Sequence, residues 1–145
     1  MIINSLKQQI IDGMKAHDDV RVSTLKMLST EIHNFQIDHP EMTEEEELTV
    51  IKKEAKKRKD SIEAFTKANL IDRVEREEKE LKILQEFLPA EISDEELEKF
   101  VSEALLESGA EGVKDMGKVI GLVMTKSKGN ADGGKVAQLV KQKLV

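Results

Sequence analysis

The sequence predicts an all-helical protein, and three observations carry that prediction. Apolar residues recur three and four positions apart through most of the chain, the period of amphipathic helices. Leu, Met, Ala, Glu, Lys and Gln, all strong helix formers, are abundant, and 36% of the residues are charged. The only two prolines, Pro40 and Pro89, fall between apolar stripes and not within them. No alternation long enough for a strand and no internal repeat interrupts this pattern. The expected architecture is a four-helix N-terminal lobe over residues 1–90, followed by a smaller three-helix tail lobe over 91–145.

The first stripe, Ile3, Leu6, Ile10 and Met14, runs out at Ala16-His17-Asp18-Asp19, where an aspartate can cap the next helix. Arg21, Leu25, Leu28, Ile32 and Phe35 form the second, which stops before His39-Pro40 because proline restricts the residue before it. Thr43-Glu44-Glu45-Glu46 reads as a capping box, with acids 44–47 at the positive end of the helix dipole. It opens a long helix near 44–68 with Leu48, Ile51, Ala55, Ile62 and Phe65 inside, about 37 Å long. A fourth helix from about Asp72 to Leu88 should bury Val74, Leu81, Leu84 and Leu88 before Pro89 stops it. Ser93-Asp94-Glu95-Glu96, a second capping box, starts a fifth that ends at Gly109 in a left-handed cap. Asp115 can cap a sixth helix, closed by Gly129. A turn over 130–134 then leads to the last, from Lys135 to Leu144.

Aromatics are 3% of the chain, four phenylalanines with no Trp and no Tyr, so the core must be aliphatic. Zero cysteines exclude a disulfide framework and thiolate chemistry. The stretch Met1–Lys7 lacks a basic run followed by an apolar one, and no apolar segment approaches the roughly 18–20 residues that cross a bilayer, which leads to the expectation of a cytosolic protein. The net charge is −6, but it is unevenly spread. Residues 114–145 hold seven lysines against two aspartates, a net of +5, while residues 1–113 carry −11.

Catalytic constellations are missing from the sequence. His17, His33 and His39 make no H-x-x-x-H or E-x-x-H pair on one helical face, so neither a metal nor another cofactor is expected. No serine sits in a recognisable nucleophile motif, and there is no Walker A or G-x-G-x-x-G sequence. Abundant carboxylates are the ordinary dress of solvated helices.

Two basic features survive. Lys52-Lys53-Glu54-Ala55-Lys56-Lys57-Arg58-Lys59 puts six positive charges in eight residues on the long helix. It reads as a solvated face laced by pairs such as Glu54 with Arg58, or as a secondary phosphate-contacting patch of Lys52, Lys53, Lys56 and Lys57. The other feature is the tail helix, where Gly117 and Gly121 stack one turn apart beside the apolar face of Met116, Val119, Ile120 and Val123. A helix-interior glycine costs roughly 1 kcal/mol against alanine, so two of them need a reason. Either another helix packs closely there, or bare backbone lets a sugar-phosphate chain approach while Lys118, Lys126, Lys128 and Lys135 supply countercharge. Spacing alone leaves both open.

Asp115-Met116-Gly117-Lys118-Val119-Ile120-Gly121, then Met124, Lys128-Gly129, Ala131-Asp132-Gly133 and Leu139-Val140-Lys141, resemble the tail signature of the GatB/YqeY family. Three upstream stretches agree in order: Arg21–Leu28, Lys57–Phe65 and Leu84–Pro89. The likeness spans essentially the whole chain and is greatest to the free-standing YqeY-type members. It implies an N-terminal helical lobe with a three-helix tail. In larger relatives this unit is the C-terminal part of the B subunit of the glutamine-dependent Glu-tRNA(Gln) amidotransferase, where it helps grip tRNA while the chemistry occurs elsewhere. The family is associated with carbon–nitrogen ligase activity, yet nothing in this chain is long enough to hold those catalytic parts. One departure is Ala137, where family tails often carry a polar Asn or Ser.

These observations lead to the expectation of a non-catalytic accessory protein that binds tRNA or structured RNA. Its contacts would be Lys118, Lys126, Lys128, Gly129 and Lys135 with the open backbone at Gly117 and Gly121, and backbone amides near Gly129 to Gly134 would complete the grip. The rival expectation is a helical adaptor whose partner is a protein, such as an amidotransferase subunit or an aminoacyl-tRNA synthetase.

Overall fold

A computed structural model describes all 145 residues. It holds seven α-helices and no strand: α1 Ile3–Lys15, α2 Asp19–Asp38, α3 Glu44–Lys67, α4 Ile71–Gln85, α5 Asp94–Ser108, α6 Met116–Lys126 and α7 Gly133–Leu144. A single 3₁₀ turn, Val113–Asp115, precedes α6. No helix is long and apolar enough to cross a membrane. The chain divides into two compact units, Met1–Leu88 and Pro89–Val145.

In the first unit α1 packs on α2, α3 on α4, and α2 touches both α3 and α4. Leu6, Leu25, Leu28, Ile32, Ile51 and Leu84 are completely buried at its centre, each worth about 1.5–3 kcal/mol of transfer free energy. Phe35 and Phe87 only flank this core. The stripe of the fourth helix is less buried than its spacing suggests: Leu84 alone is fully enclosed, Val74, Leu81 and Leu88 are half-buried, and the helix ends at Gln85 with 86–88 in a turn. Gly13 lies where α1 and α2 approach, and a Cβ there would sit 3.1 Å from Val22 Cγ2.

The sequence groups Glu47 with the acids that face the α3 dipole. It is instead 1% exposed, and its carboxylate accepts from the backbone N–H of Ile2 at 2.9 Å and of Ile3 at 2.7 Å. α1 has no side-chain cap of its own, so a carboxylate from α3, more than forty residues on, satisfies amides that the helix cannot. The spacing carries a clue to this role: Glu47 falls four residues before Ile51 and eight before Ala55, on the core face of α3.

The caps show which local signals are complete. Asp18 accepts from Arg21 N–H at the start of α2, and the Thr43–Glu46 capping box is reciprocal. At α5 only half the box exists, Ser93 Oγ accepting from Glu96 N–H. Asp115 does not cap α6; its carboxylate accepts from Glu111 N–H, stabilising the 3₁₀ turn. Gly109 closes α5 at φ 62°, as the sequence suggests. Three other helices close through left-handed residues that are not glycine, His17 after α1, Asn69 after α3 and Lys128 after α6, at φ 55°, 56° and 53°. Each makes the paired Schellman hydrogen bonds, such as Leu70 N–H to Phe65 O and Asn69 N–H to Thr66 O.

The second unit is a three-helix cluster in which α5 packs on α6, α6 on α7, and α5 on α7. Its core is Leu97, Val101, Ala104, Val119, Val123, Ala131, Val136 and Val140.

Replacing Glu47 by alanine should lower the stability of the full chain by about 1–3 kcal/mol, because it strands two amides in a partly buried place. Urea unfolding reads this directly. Glu47→Gln, which keeps one acceptor oxygen, should lose less. An unchanged midpoint in Glu47→Ala would mean that water satisfies those amides.

Candidate nucleic-acid interface

α6 presents two contrasting faces. Val119 and Val123 point into the core, with Met116 and Ile120 half-buried beside them. Opposite lie Gly117, Lys118, Gly121 and Thr125, all exposed. A Cβ built on Gly117 or Gly121 would meet nothing within 4 Å. No helix packs on this flank, so close helix packing does not explain the glycines. Thr125 Oγ1 donates to Gly121 O at 3.0 Å, and Lys118 Nζ donates to Ser108 O at 3.3 Å, one of the free carbonyls at the end of α5.

Lys126 belongs to a different flank, turned roughly 140° from Gly121 about the helix axis. Its ammonium donates to Glu107 Oε1 at 2.7 Å and lies 3.6 Å from Glu103 Oε2. The Glu107 hydrogen bond raises the amine above its ordinary pKa, with the charges of both glutamates adding to it and partial desolvation opposing it. Lys135 leans the same way more loosely, its Nζ 3.9 Å from Asp94 Oδ1 with both side chains exposed. Lys128 and Gly129 occupy the turn after α6, both at positive φ.

The first backbone amides of this turn are already engaged within the chain. Lys128 N–H goes to Thr125 O, Gly129 N–H to Met124 O, and Asn130 N–H to Ser127 O. Asp132 caps α7, accepting from Gly134 N–H at 2.8 Å and Lys135 N–H at 3.3 Å. The structure therefore brings Gly117, Lys118 and Gly121 onto one face and sets Lys128 and Gly129 in the adjoining turn. It holds Lys126 and Lys135 toward α5. The acids that do this, Asp94, Glu103 and Glu107, are marked in the sequence only by the i, i+4 spacing of Glu103 and Glu107.

The basic run of α3 divides likewise. Lys53 and Lys56 are exposed, whereas Lys52 is half-buried. Lys57 Nζ donates to Glu54 Oε1 at 2.9 Å, and that bond raises the amine's pKa. Arg58 is drawn inward, 3.8 Å from Glu54, 3.6 Å from Glu77 and 2.8 Å from Glu80, and donates to Met27 Sδ at 3.2 Å. The Glu54–Arg58 pairing read from the spacing exists, but Glu54 is 3% exposed, so it is an interior seam and not a solvated lacing. Burial, then the charge of Glu80, pushes the Glu77 carboxyl upward, and Arg58 and Arg76 offset this only in part.

The histidines stay apart. His17 is the left-handed residue after α1, His33 is exposed on α2, and His39 stacks on Phe35 with ring centroids 4.1 Å apart. No three acidic, histidine or cysteine side chains gather in an arrangement that could hold a metal ion.

Comparison with known proteins finds a family model, described as Yqey-like protein, that matches residues 3–144. An uncharacterized protein of Schizosaccharomyces pombe is 37% identical over 90 residues, covering 61% of this chain and 73% of its own length. A protein of Vanderwaltozyma polyspora named "Altered inheritance of mitochondria protein 41, mitochondrial" is 33% identical, covering 79% of this chain and 66% of its own length. Its namesake in Pyrenophora tritici-repentis is 29% identical, with 90% and 74% covered. The chain thus spans about two thirds to three quarters of these relatives. None of the three names mentions RNA or an amidotransferase. Two are named as mitochondrial, which overturns the cytosolic expectation. That expectation rests on the absence of a visible signal, and such an absence is no evidence of a compartment.

Because both glycine positions are open, Gly121→Ala should stabilise the full chain by about 0.5–1 kcal/mol through helix propensity, and Gly117→Ala, in the first turn of α6, should stabilise it by less. Thermal unfolding measures it. A loss of stability in either variant would mean that a packed neighbour needs the missing Cβ.

Proposed function

We propose that this chain, which belongs to the YqeY-like family, is an accessory protein that binds tRNA or similarly structured RNA and does no bond-making chemistry itself. The observation that carries the reading is the open glycine pair of α6. Two glycines weaken the helix, and nothing within the molecule uses the space they leave. Helix stability given up at an exposed place without internal return fits a surface that meets a ligand closely. A backbone face without side chains admits a ribose-phosphate chain close to the helix, and Lys118 stands beside it with Lys128 in the next turn. The resemblance to the tRNA-gripping tail of the amidotransferase B subunit supports the same reading. With aromatics at 3% of the chain, recognition by shape and charge fits better than stacking of unpaired bases.

The alternative is a protein–protein adaptor, motivated by Leu106 of α5, which is 85% exposed. The two readings part on salt. Exchanging Lys118, Lys128 and Lys135 for glutamine should weaken binding of a tRNA transcript and flatten the slope of log K against log salt by about 0.7–0.9 for each phosphate no longer neutralised. Gly121→Gln should weaken binding by bulk with the slope kept, and the protein should remain folded because that side is open. If the triple variant binds as tightly as the parent and with the same slope, the adaptor reading replaces this one.

We also assign the two units to separate folding lobes, residues 1–90 with four helices and 91–145 with three, joined across the Pro89–Ser93 break. A fragment of residues 1–90 should unfold in one cooperative thermal transition. The tail alone should be marginal, since so short a chain supplies little core. Absence of a cooperative transition in the 1–90 fragment would show that the boundary is misplaced.

A further inference from the structure

The tail unit carries two kinds of lysine. Lys118 meets only a neutral carbonyl and Lys128 has no carboxylate partner, whereas Lys126 is held by Glu103 and Glu107 and Lys135 leans on Asp94. Resting on the RNA-binding reading, we propose that Glu103 and Glu107 occupy on Lys126 the place of RNA phosphates and are displaced when RNA binds, so that α5 limits the site to ligands with closely spaced negative charge.

The physical basis is a matched exchange. Glu103 and Glu107 repeat one helical turn apart, so the face of α5 toward Lys126 offers a short line of anionic oxygens, as a phosphodiester chain does. Lys126 leaves one set of oxygens for another, and its ammonium keeps a charged acceptor throughout. Glu103 and Glu107 are 42% and 55% exposed, so the freed carboxylates can turn into water. Exposed ion pairs are weak, which keeps this exchange within reach of a competing ligand. A single phosphate competes with both carboxylates at one point only. A phosphate chain that also meets Lys118 and Lys128 engages Lys126 as an intramolecular event, at high effective concentration.

The test uses the full chain, an unmodified tRNA transcript and inorganic phosphate. The double variant Glu103→Gln/Glu107→Gln should bind the transcript about two- to fivefold tighter at low salt, the range spanned by weak surface pairs. Its salt slope should stay that of the parent, because Lys126 neutralises a phosphate in both complexes and only the cost of releasing it differs. Glu95→Gln/Glu98→Gln removes the same charge from exposed positions of the same helix and should give a smaller gain with the slope unchanged. Adding Lys126→Gln to the Glu103/Glu107 variant should abolish the extra gain, which isolates the coupling. Should the double variant lose helicity, Glu107→Gln alone, removing the acid at 2.7 Å, should deliver most of the effect. Millimolar inorganic phosphate should not displace the transcript from the parent protein; displacement would show that closely spaced charge is not required and overturn the inference. It is also overturned if the parent binds the transcript and the Glu103/Glu107 variant gains no more than the Glu95/Glu98 control. A parent protein that does not bind the transcript at all overturns the functional reading first, and this inference with it.

Discussion

Every helix begins with backbone amides that have no partner in their own turn, and how each is satisfied organises much of this molecule. Asp18, Thr43, Ser93 and Asp132 do it locally for α2, α3, α5 and α7. Glu47 does it at long range for α1, and in doing so fastens the first helix to the third through a buried carboxylate. The same requirement shapes the tail. Asp132 consumes the Gly134 and Lys135 amides at the start of α7, so part of the backbone that the sequence offers to an anion is already filled by the protein's own side chain. What remains open is the flank of α6, where backbone is exposed by lack of side chains and not by lack of hydrogen bonds.

Charge follows a parallel logic. With 36% charged residues and a thin aliphatic core, helices meet along ionic seams as well as along apolar stripes. Arg58 sits among acids of α3 and α4, and Lys126 ties α6 to α5. Removing charges from water is costly, and the Arg58 seam is largely enclosed while the Lys126 seam stays partly exposed, so neither adds much net stability beyond what its attraction offsets. Glu77, pushed toward its neutral form by burial and by Glu80, marks where the first seam is least well matched.

The helices are legible in the sequence because their periodicity, caps and proline stops agree with one another. What the chain hides is mostly long-range or lacks its usual residue. Glu47 looks like one more acid in a run of four until α1 is placed beside it. Helix closure at His17 and Asn69 lacks glycine, so the ends of α1 and α3 carry no conventional mark, whereas at α6 the left-handed turn begins at Lys128, one residue before the Gly129 that marks it. α7 starts two residues earlier than its apolar pattern suggests, because Gly133-Gly134 reads as a turn and yet Asp132 holds both in the helix. In the tail, the glycine flank and its neighbour Lys118 follow from angular spacing alone. The inward turn of Lys126 does not, because it depends on which helix lies alongside.

Lys128 stands at φ 53° in a turn fixed by two backbone hydrogen bonds, a conformation that costs an ordinary side chain roughly 1–2 kcal/mol. The consequence is preorganisation. The Cα–Cβ direction of this lysine is set before anything arrives, so an anion meeting its ammonium orders only the flexible stem and not the loop beneath it.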